Sequence, residues 1–206
     1  AKPGMRKNDL VAEIMHAGVQ GHQGHYGDYT SFVPLIGAGD EAAACHMTWN
    51  DQKLNNNEGM FLELAGAYAR YHCPCSRTLF LGSPPQQYLD IEKVISECIE
   101  NAISMFKPGN TCAEISDNFT ATLKKYGYEK NNRCGYPIGL SYPPDWGERT
   151  MSLRETDQTI LEENMTFHFM PAIWFDDWGF EMTESIRVGQ NGGECLSKVP
   201  RQLLVK

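Results

Sequence analysis

Apolar positions recur at helical spacing in three stretches of this chain and alternate or cluster in most of the others. Leu10, Val11, Ile14 and Val19 share one face of a helix predicted over residues 7–19, started by Asn8 or Asp9. Leu89, Val94, Ile95, Cys98, Ala102 and Met105 mark a longer helix over 86–106. Lys107-Pro108-Gly109-Asn110 stops it, and Thr111 is placed to cap a third helix reaching Tyr126. Strand signals lie between these helices. Phe32 to Ile36 reads as a short apolar strand, Met60 to Gly82 as a hairpin turning near 65–70, and Met165–Met170 and Phe180–Val188 as two more strands.

The pattern contains itself twice. Lys2-Pro3-Gly4 returns as Lys107-Pro108-Gly109, and Glu58-Gly59-Met60 returns as Glu163-Asn164-Met165, each after 105 residues. Glu13-Ile14 returns as Glu114-Ile115 after 101 residues, a slip of four against that offset. A constant offset over unlike motifs predicts a duplicated half-domain. Two halves related by a pseudo-two-fold axis enclose one cleft where their central strands meet. The expected fold is a single α+β domain over 1–206, with a curved antiparallel sheet covered by helices.

Composition narrows the partners. The 206 residues suffice for one well-buried core. A net charge of −8 argues against nucleic acid or an anionic membrane surface and leaves room for a small cationic or zwitterionic ligand. No apolar run approaches the ~20 residues that span a bilayer. Seven cysteines, an odd number in a chain too large to need staples, read as reduced thiols of a cytoplasmic protein. His72-Cys73-Pro74-Cys75, with Cys45-His46 elsewhere, lacks the second cysteine pair that a structural zinc site uses.

Candidate chemistry follows from residues that break the pattern. Glu63 interrupts the apolar set Leu62/Leu64, and a carboxylate inside an apolar strand needs a task or a partner. Its mate 105 residues on is His168, between Phe167 and Phe169. The pseudo-two-fold therefore points a carboxylate and an imidazole towards the same cleft. His46, just ahead of the hairpin, reads equally well as structural or catalytic. Residues 133–150 combine Gly135, Gly139, Gly147 and three prolines with Tyr136, Tyr142 and Trp146, the composition of an ordered binding loop.

Phe61-Leu62-Glu63-Leu64-Ala65-Gly66-Ala67-Tyr68, Ser76-Arg77-Thr78 and Gly135-Tyr136-Pro137-Ile138-Gly139-Leu140 resemble the "pita-bread" family of creatinase, prolidase and aminopeptidase P. Met165 to Pro171 and Gly179 to Val188 resemble its last two strands, so the resemblance covers nearly the whole chain. It implies the pita-bread fold with a central catalytic cleft. Peptidases of the family hold two metal ions through two Asp, one His and two Glu. The matching positions here carry Glu63, Pro74, Tyr136 (or the Pro143 region), Met170 and Thr183, of which only Glu63 is a carboxylate. Proline and methionine cannot ligate a hard divalent cation, and threonine is a poor substitute for a carboxylate. An Xaa-Pro peptidase is thereby disfavoured.

What remains is the metal-free, creatinase-like side of the family, which hydrolyses C–N bonds without a cofactor. Tyr71-His72-Cys73-Pro74, the run Arg133–Leu153 and Thr183-Glu184-Ser185 all resemble that branch. The resemblance implies a small substrate carrying a cyclic amidine and a carboxylate. Glu63 would be nucleophile or base, His46 the proton donor and acceptor, and His168 a partner in positioning or proton transfer. His72 belongs to the implied substrate pocket. Glu181 or Glu184 would pair with the amidinium, while Tyr136, Tyr142 and Trp146 or Trp174 would stack on it. Arg77 is expected to anchor the fold through a buried ion pair. Related enzymes carry an N-terminal domain that helps form a homodimer, and this chain starts close to the first Lys-Pro-Gly. Alternatives are another creatinase-like amidinohydrolase or a catalytically silent pita-bread binding module.

Overall fold

A computed structural model describes residues 1–206 and shows the duplication directly. Helix α1 spans Lys7–Gln20 and α3 spans Cys112–Lys125, so both ends of the pair differ by the same 105 residues. Strands β1 (Leu35–Ala38), β2 (Glu58–Tyr68) and β3 (Tyr71–Leu81) form an antiparallel sheet, closed at its edge by β10 (Leu204–Val205) running parallel to β3. The second half repeats the arrangement with β4 (Gly135–Pro137), β5 (Thr166–Phe169), β8 (Glu184–Arg187) and β9 (Glu194–Cys195). In the first sheet Glu63 lies opposite Leu35 and Ser76. In the second, His168 lies opposite Tyr136 and Ser185. Glu63 and His168 thus occupy the same central place in the two sheets.

Strand β3 is the seam between the halves. The Ser76 N–H donates to Thr183 Oγ1 at 2.8 Å, Thr78 Oγ1 donates to the Glu181 carbonyl at 3.0 Å, and Ser185 Oγ donates to the Pro74 carbonyl at 2.6 Å. Arg77 threads the same seam, ion-paired to Glu184 with both side chains almost fully buried, as its sequence setting led us to expect. Helix α2 (Gln86–Ile103) and α3 cover the outer face of the sheets. There Phe106 meets the rings of Phe167 and Phe169 at 5.8 and 5.6 Å, and Phe119 meets Phe169 at 5.9 Å.

Local chemistry explains the element ends. Thr111 and Glu114 form a reciprocal capping box, which starts α3 where the sequence placed it. Three expectations need correction. The first apolar strand lies at Leu35–Ala38 rather than 32–36, because Pro34 cannot donate to the ladder and β1 starts just after it. The hairpin stays extended to Tyr68 and turns only at Ala69-Arg70, both left-handed at φ 49° and 67°. The run 180–188 is two strands, β7 (Gly179–Glu181, paired with β6, Ala172–Trp174) and β8, parted at Met182-Thr183 where the backbone crosses to the seam. All seven cysteines are free thiols, and no helix is long and apolar enough to cross a membrane.

Candidate active site

The two halves enclose a cleft of about 490 Å³. Glu63 from β2, Tyr136 from β4, Trp146 from the aromatic loop and His46 from the segment after β1 all line it, so four of the expected site residues converge. Glu63 is only 7% exposed. Burial pushes its carboxyl up to about 7; Lys130 opposes the shift and Asp145 adds to it. His46 is exposed on the wall, its ring 5.7 Å from that of Phe32.

His168 is fully buried behind the wall rather than on it. Its Nδ1 lies 2.9 Å from the Tyr136 hydroxyl and 3.8 Å from Glu63 Oε1, and its Nε2 lies 2.6 Å from Thr183 Oγ1. Burial drives the imidazole down to about 3, so it is neutral at neutral pH and one nitrogen carries the proton. The network fixes which one. Thr183 Oγ1 accepts from the Ser76 N–H and from Ser76 Oγ, so its own proton goes to His168 Nε2. Nδ1–H then donates to the Tyr136 oxygen, which also accepts from Trp146 Nε1 at 2.8 Å. With both lone pairs used, the Tyr136 hydroxyl can offer its proton only to the cleft. A relay from the seam therefore leaves the tyrosine as a donor to whatever occupies the cleft that it and Glu63 both line.

The other expected residues sit elsewhere. His72 is buried with both nitrogens engaged, Nε2 accepting from the Ser31 N–H and Nδ1 against the Arg70 carbonyl, each at 2.9 Å. Glu184 is taken by Arg77. Tyr142 is exposed and covers the Arg70 guanidinium at 4.9 Å, outside the cleft. Trp174 and Glu181 lie behind the wall, where the indole donates to Glu181 Oε1 at 3.0 Å and Oε2 is left buried without a partner. Burial first, and Glu63 second, hold the Glu181 carboxyl well above its ordinary value.

Sequence reasoning missed a cation. Lys130, half-buried after α3, donates to the Met170 carbonyl at 2.9 Å and lies 4.7 Å over the Trp174 ring. Burial lowers its ammonium to about 8 against the pull of Cys134, Glu181, Cys45 and Glu63. Arg133, Arg154 and Cys45 on the cleft wall were missed as well. Their stretches show no periodicity, so no pattern pointed to them.

The dinuclear metal site of the related peptidases does not fit this donor set. Nowhere do three His, Cys, Asp or Glu side chains gather as a metal site would need. At the corresponding positions the Pro74 and Met170 carbonyls accept protein hydrogen bonds, and the Thr183 hydroxyl serves His168.

Residues 1–191 match metallopeptidase family M24. The chain belongs to that family. It is 50% identical over its whole length to the ectoine hydrolase of Halomonas elongata, of which it spans 53%. It is 25% identical to the Xaa-Pro dipeptidase of Pyrococcus furiosus over 84% of this chain and 49% of that one. The fold is shared with solved structures at low identity. Prolidase from Pyrococcus furiosus gives a TM-score of 0.85 at 22% identity, over 97% of this chain and 58% of that one. The X-Pro aminopeptidase of Thermotoga maritima gives 0.87 at 20%, over 100% and 57%. The pita-bread fold is therefore the fold of this M24 chain, which spans about half the length of the relatives it matches.

Proposed function

We propose that this M24 chain forms the catalytic half of a hydrolase that opens the cyclic amidine ring of ectoine to N-acetyl-2,4-diaminobutyrate without a metal ion. The observation that carries the reading is Glu63, the one carboxylate left at the five peptidase ligand positions, buried in a cleft with Tyr136 and His46. The 50% identity to an ectoine hydrolase over the whole chain supports the choice of substrate.

The amidine carbon between two nitrogens is the electrophile. Glu63 supplies the attacking oxygen, either its own or that of a water it deprotonates. As the carbon becomes tetrahedral, one C–N bond breaks and His46 delivers a proton to the departing nitrogen. One water is consumed overall; where Glu63 attacks directly, that water later cleaves the O-acyl imidate formed on Glu63, releasing the acetamide product and regenerating the carboxylate. Tyr136 donates to the oxygen at the reacting centre and is oriented by His168, Trp146 and Thr183. His168 is thus a positioning residue.

The test is incubation with ectoine in the presence of chelator, followed by intact-protein and small-molecule mass spectrometry. The expected result is the ring-opened product, with Glu63→Gln losing at least a hundredfold in turnover while staying folded. A fully active Glu63→Gln would sink the assignment, and turnover that needs added metal would sink the metal-free reading. An adduct of ectoine mass on Glu63 would select direct attack over activated water.

A further inference from the structure

The cleft wall carries both signs of charge. Glu63 lines it, and so do Arg133 and Arg154, neither ion-paired to any carboxylate of the chain. Arg149 also lines the cleft but is 84% exposed, with Asp145 at 4.0 Å, so its charge is partly answered. Arg133 is held differently. Its guanidinium carbon lies 4.4 Å from the centre of the Tyr136 ring, and no protein hydrogen bond takes up its N–H groups. The tyrosine it stacks on is the one whose hydroxyl lies 2.9 Å from His168 Nδ1, and that nitrogen is 3.8 Å from Glu63 Oε1.

Adjoining the cleft is a second cavity of about 500 Å³ with no apolar side chain in its lining. It shares Asn132, Arg133 and Arg154 with the cleft and adds Lys124 and Lys130, against the carboxylates Glu129 and Glu155. In a chain of net charge −8, four cations gathered around one cavity, Arg133 and Lys130 half-buried and Lys124 and Arg154 exposed, are a local reversal of sign. Such a cavity favours an anion, and a planar guanidinium fork with free N–H groups favours a carboxylate that it can grip through two parallel hydrogen bonds.

We infer that Arg133, supported by Arg154, is the carboxylate-reading element of this site, so that the substrate class is a cyclic amidine bearing a ring carboxylate and not a bare amidine. The inference rests on the amidine-hydrolase reading above and specifies which end of the substrate goes where. The amidine carbon meets Glu63, and the carboxylate, one nitrogen and one ring carbon away, meets the Arg133 fork. Arg133 then sets specificity and orientation, while the bond-breaking groups are Glu63 and His46.

The experiment compares ectoine with its decarboxylated analogue, 2-methyl-1,4,5,6-tetrahydropyrimidine. Binding is followed by calorimetry in the Glu63→Gln protein and turnover in the protein with Glu63 intact. Ectoine should bind more tightly than the analogue. Arg133→Gln should raise KM and Kd for ectoine about ten- to a hundredfold, change kcat much less, and leave binding of the analogue unchanged. Arg133→Lys, which keeps the charge but loses the fork, should fall between, and Arg154→Gln should show a smaller loss of the same kind. Melting curves establish that each variant is folded. Should Arg133→Gln misfold, Arg133→Lys and Arg154→Gln still decide, since wild-type Kd for ectoine in both would overturn the inference. Equal binding of the two ligands, with no effect of Arg133→Gln, would overturn it while leaving the amidine-hydrolase reading intact. Binding of neither ligand would overturn both.

Discussion

At the scale of single residues, the site depends on where the proton of Glu63 resides. Burial raises its carboxyl from the ordinary 4.5 to about 7. A nucleophile or base must be ionised, so kcat/KM should climb as pH rises through about 7 and level off above it. Stability should move the other way. Between pH 4.5 and 7 the folded state holds a proton at Glu63 that the unfolded chain has released. Its contribution is therefore fully present below about 4.5 and is lost as pH rises through 7, a change on the order of 3 kcal/mol at 1.36 kcal/mol per unit. Glu63→Gln removes that titration, so its melting temperature should exceed that of the wild type at pH 8 and converge with it near pH 4.5. A rate profile flat from pH 5 to 8, or equal melting temperatures at pH 8, would show that Glu63 titrates in the ordinary carboxylate range. Glu63 was legible in the sequence because a carboxylate amid Phe61, Leu62 and Leu64 breaks an apolar pattern. Arg133 was not, because a guanidinium in a polar loop breaks nothing, and its importance comes from a ring three residues further along the chain.

At the scale of elements, the same contrast between periodic and aperiodic segments decides what could be read. Helices α1 and α3 emerged within a residue of their true ends because each has an apolar face, and α3 has a capping threonine. The break between β7 and β8 stayed hidden because Gly179 to Ile186 is buried throughout, and a continuously buried run carries no alternation to interrupt. In the proposed mechanism that break is central. It places Thr183 where its hydroxyl takes the Ser76 N–H from β3 and hands its own proton to His168. Thr183→Val keeps the shape but leaves a buried N–H and a buried imidazole nitrogen without partners. The expected cost is about 1–3 kcal/mol, read as a melting temperature lower by several degrees. The Tyr136 hydroxyl would lose its orientation at the same time, so kcat should fall more than KM rises. Thr183→Ser, which restores the hydroxyl, should recover both. If Thr183→Val matched the wild type in melting temperature and kcat, the relay from seam to tyrosine would have no role.

At the scale of the whole molecule, the duplicated half-domains bring together a donor set unlike that of a dinuclear metal site. A two-fold pair of half-domains brings the centres of two sheets face to face, and carboxylates supplied from both sides can hold cations between them. In this chain the first half still supplies a carboxylate, Glu63, while the second supplies a neutral tyrosine–histidine–threonine relay. The charge that metal ions would bring has a counterpart in the protein itself. Lys130 donates to the Met170 carbonyl, at one of the former ligand positions, and its charge is felt at both Glu63 and Glu181. The fold should then be indifferent to divalent ions. A ligand that binds only the folded state raises stability in proportion to the logarithm of its concentration over Kd, so a retained metal site would show itself in a melting curve even where turnover did not. We expect the same melting temperature after exhaustive chelation, and after addition of zinc or manganese at a hundredfold molar excess, as in untreated protein. Lys130→Met should keep that indifference, because removing the cation does not recreate the lost ligands. A chelator-induced fall in melting temperature, reversed by one metal and not by another, would mean that Glu63 still belongs to a metal centre.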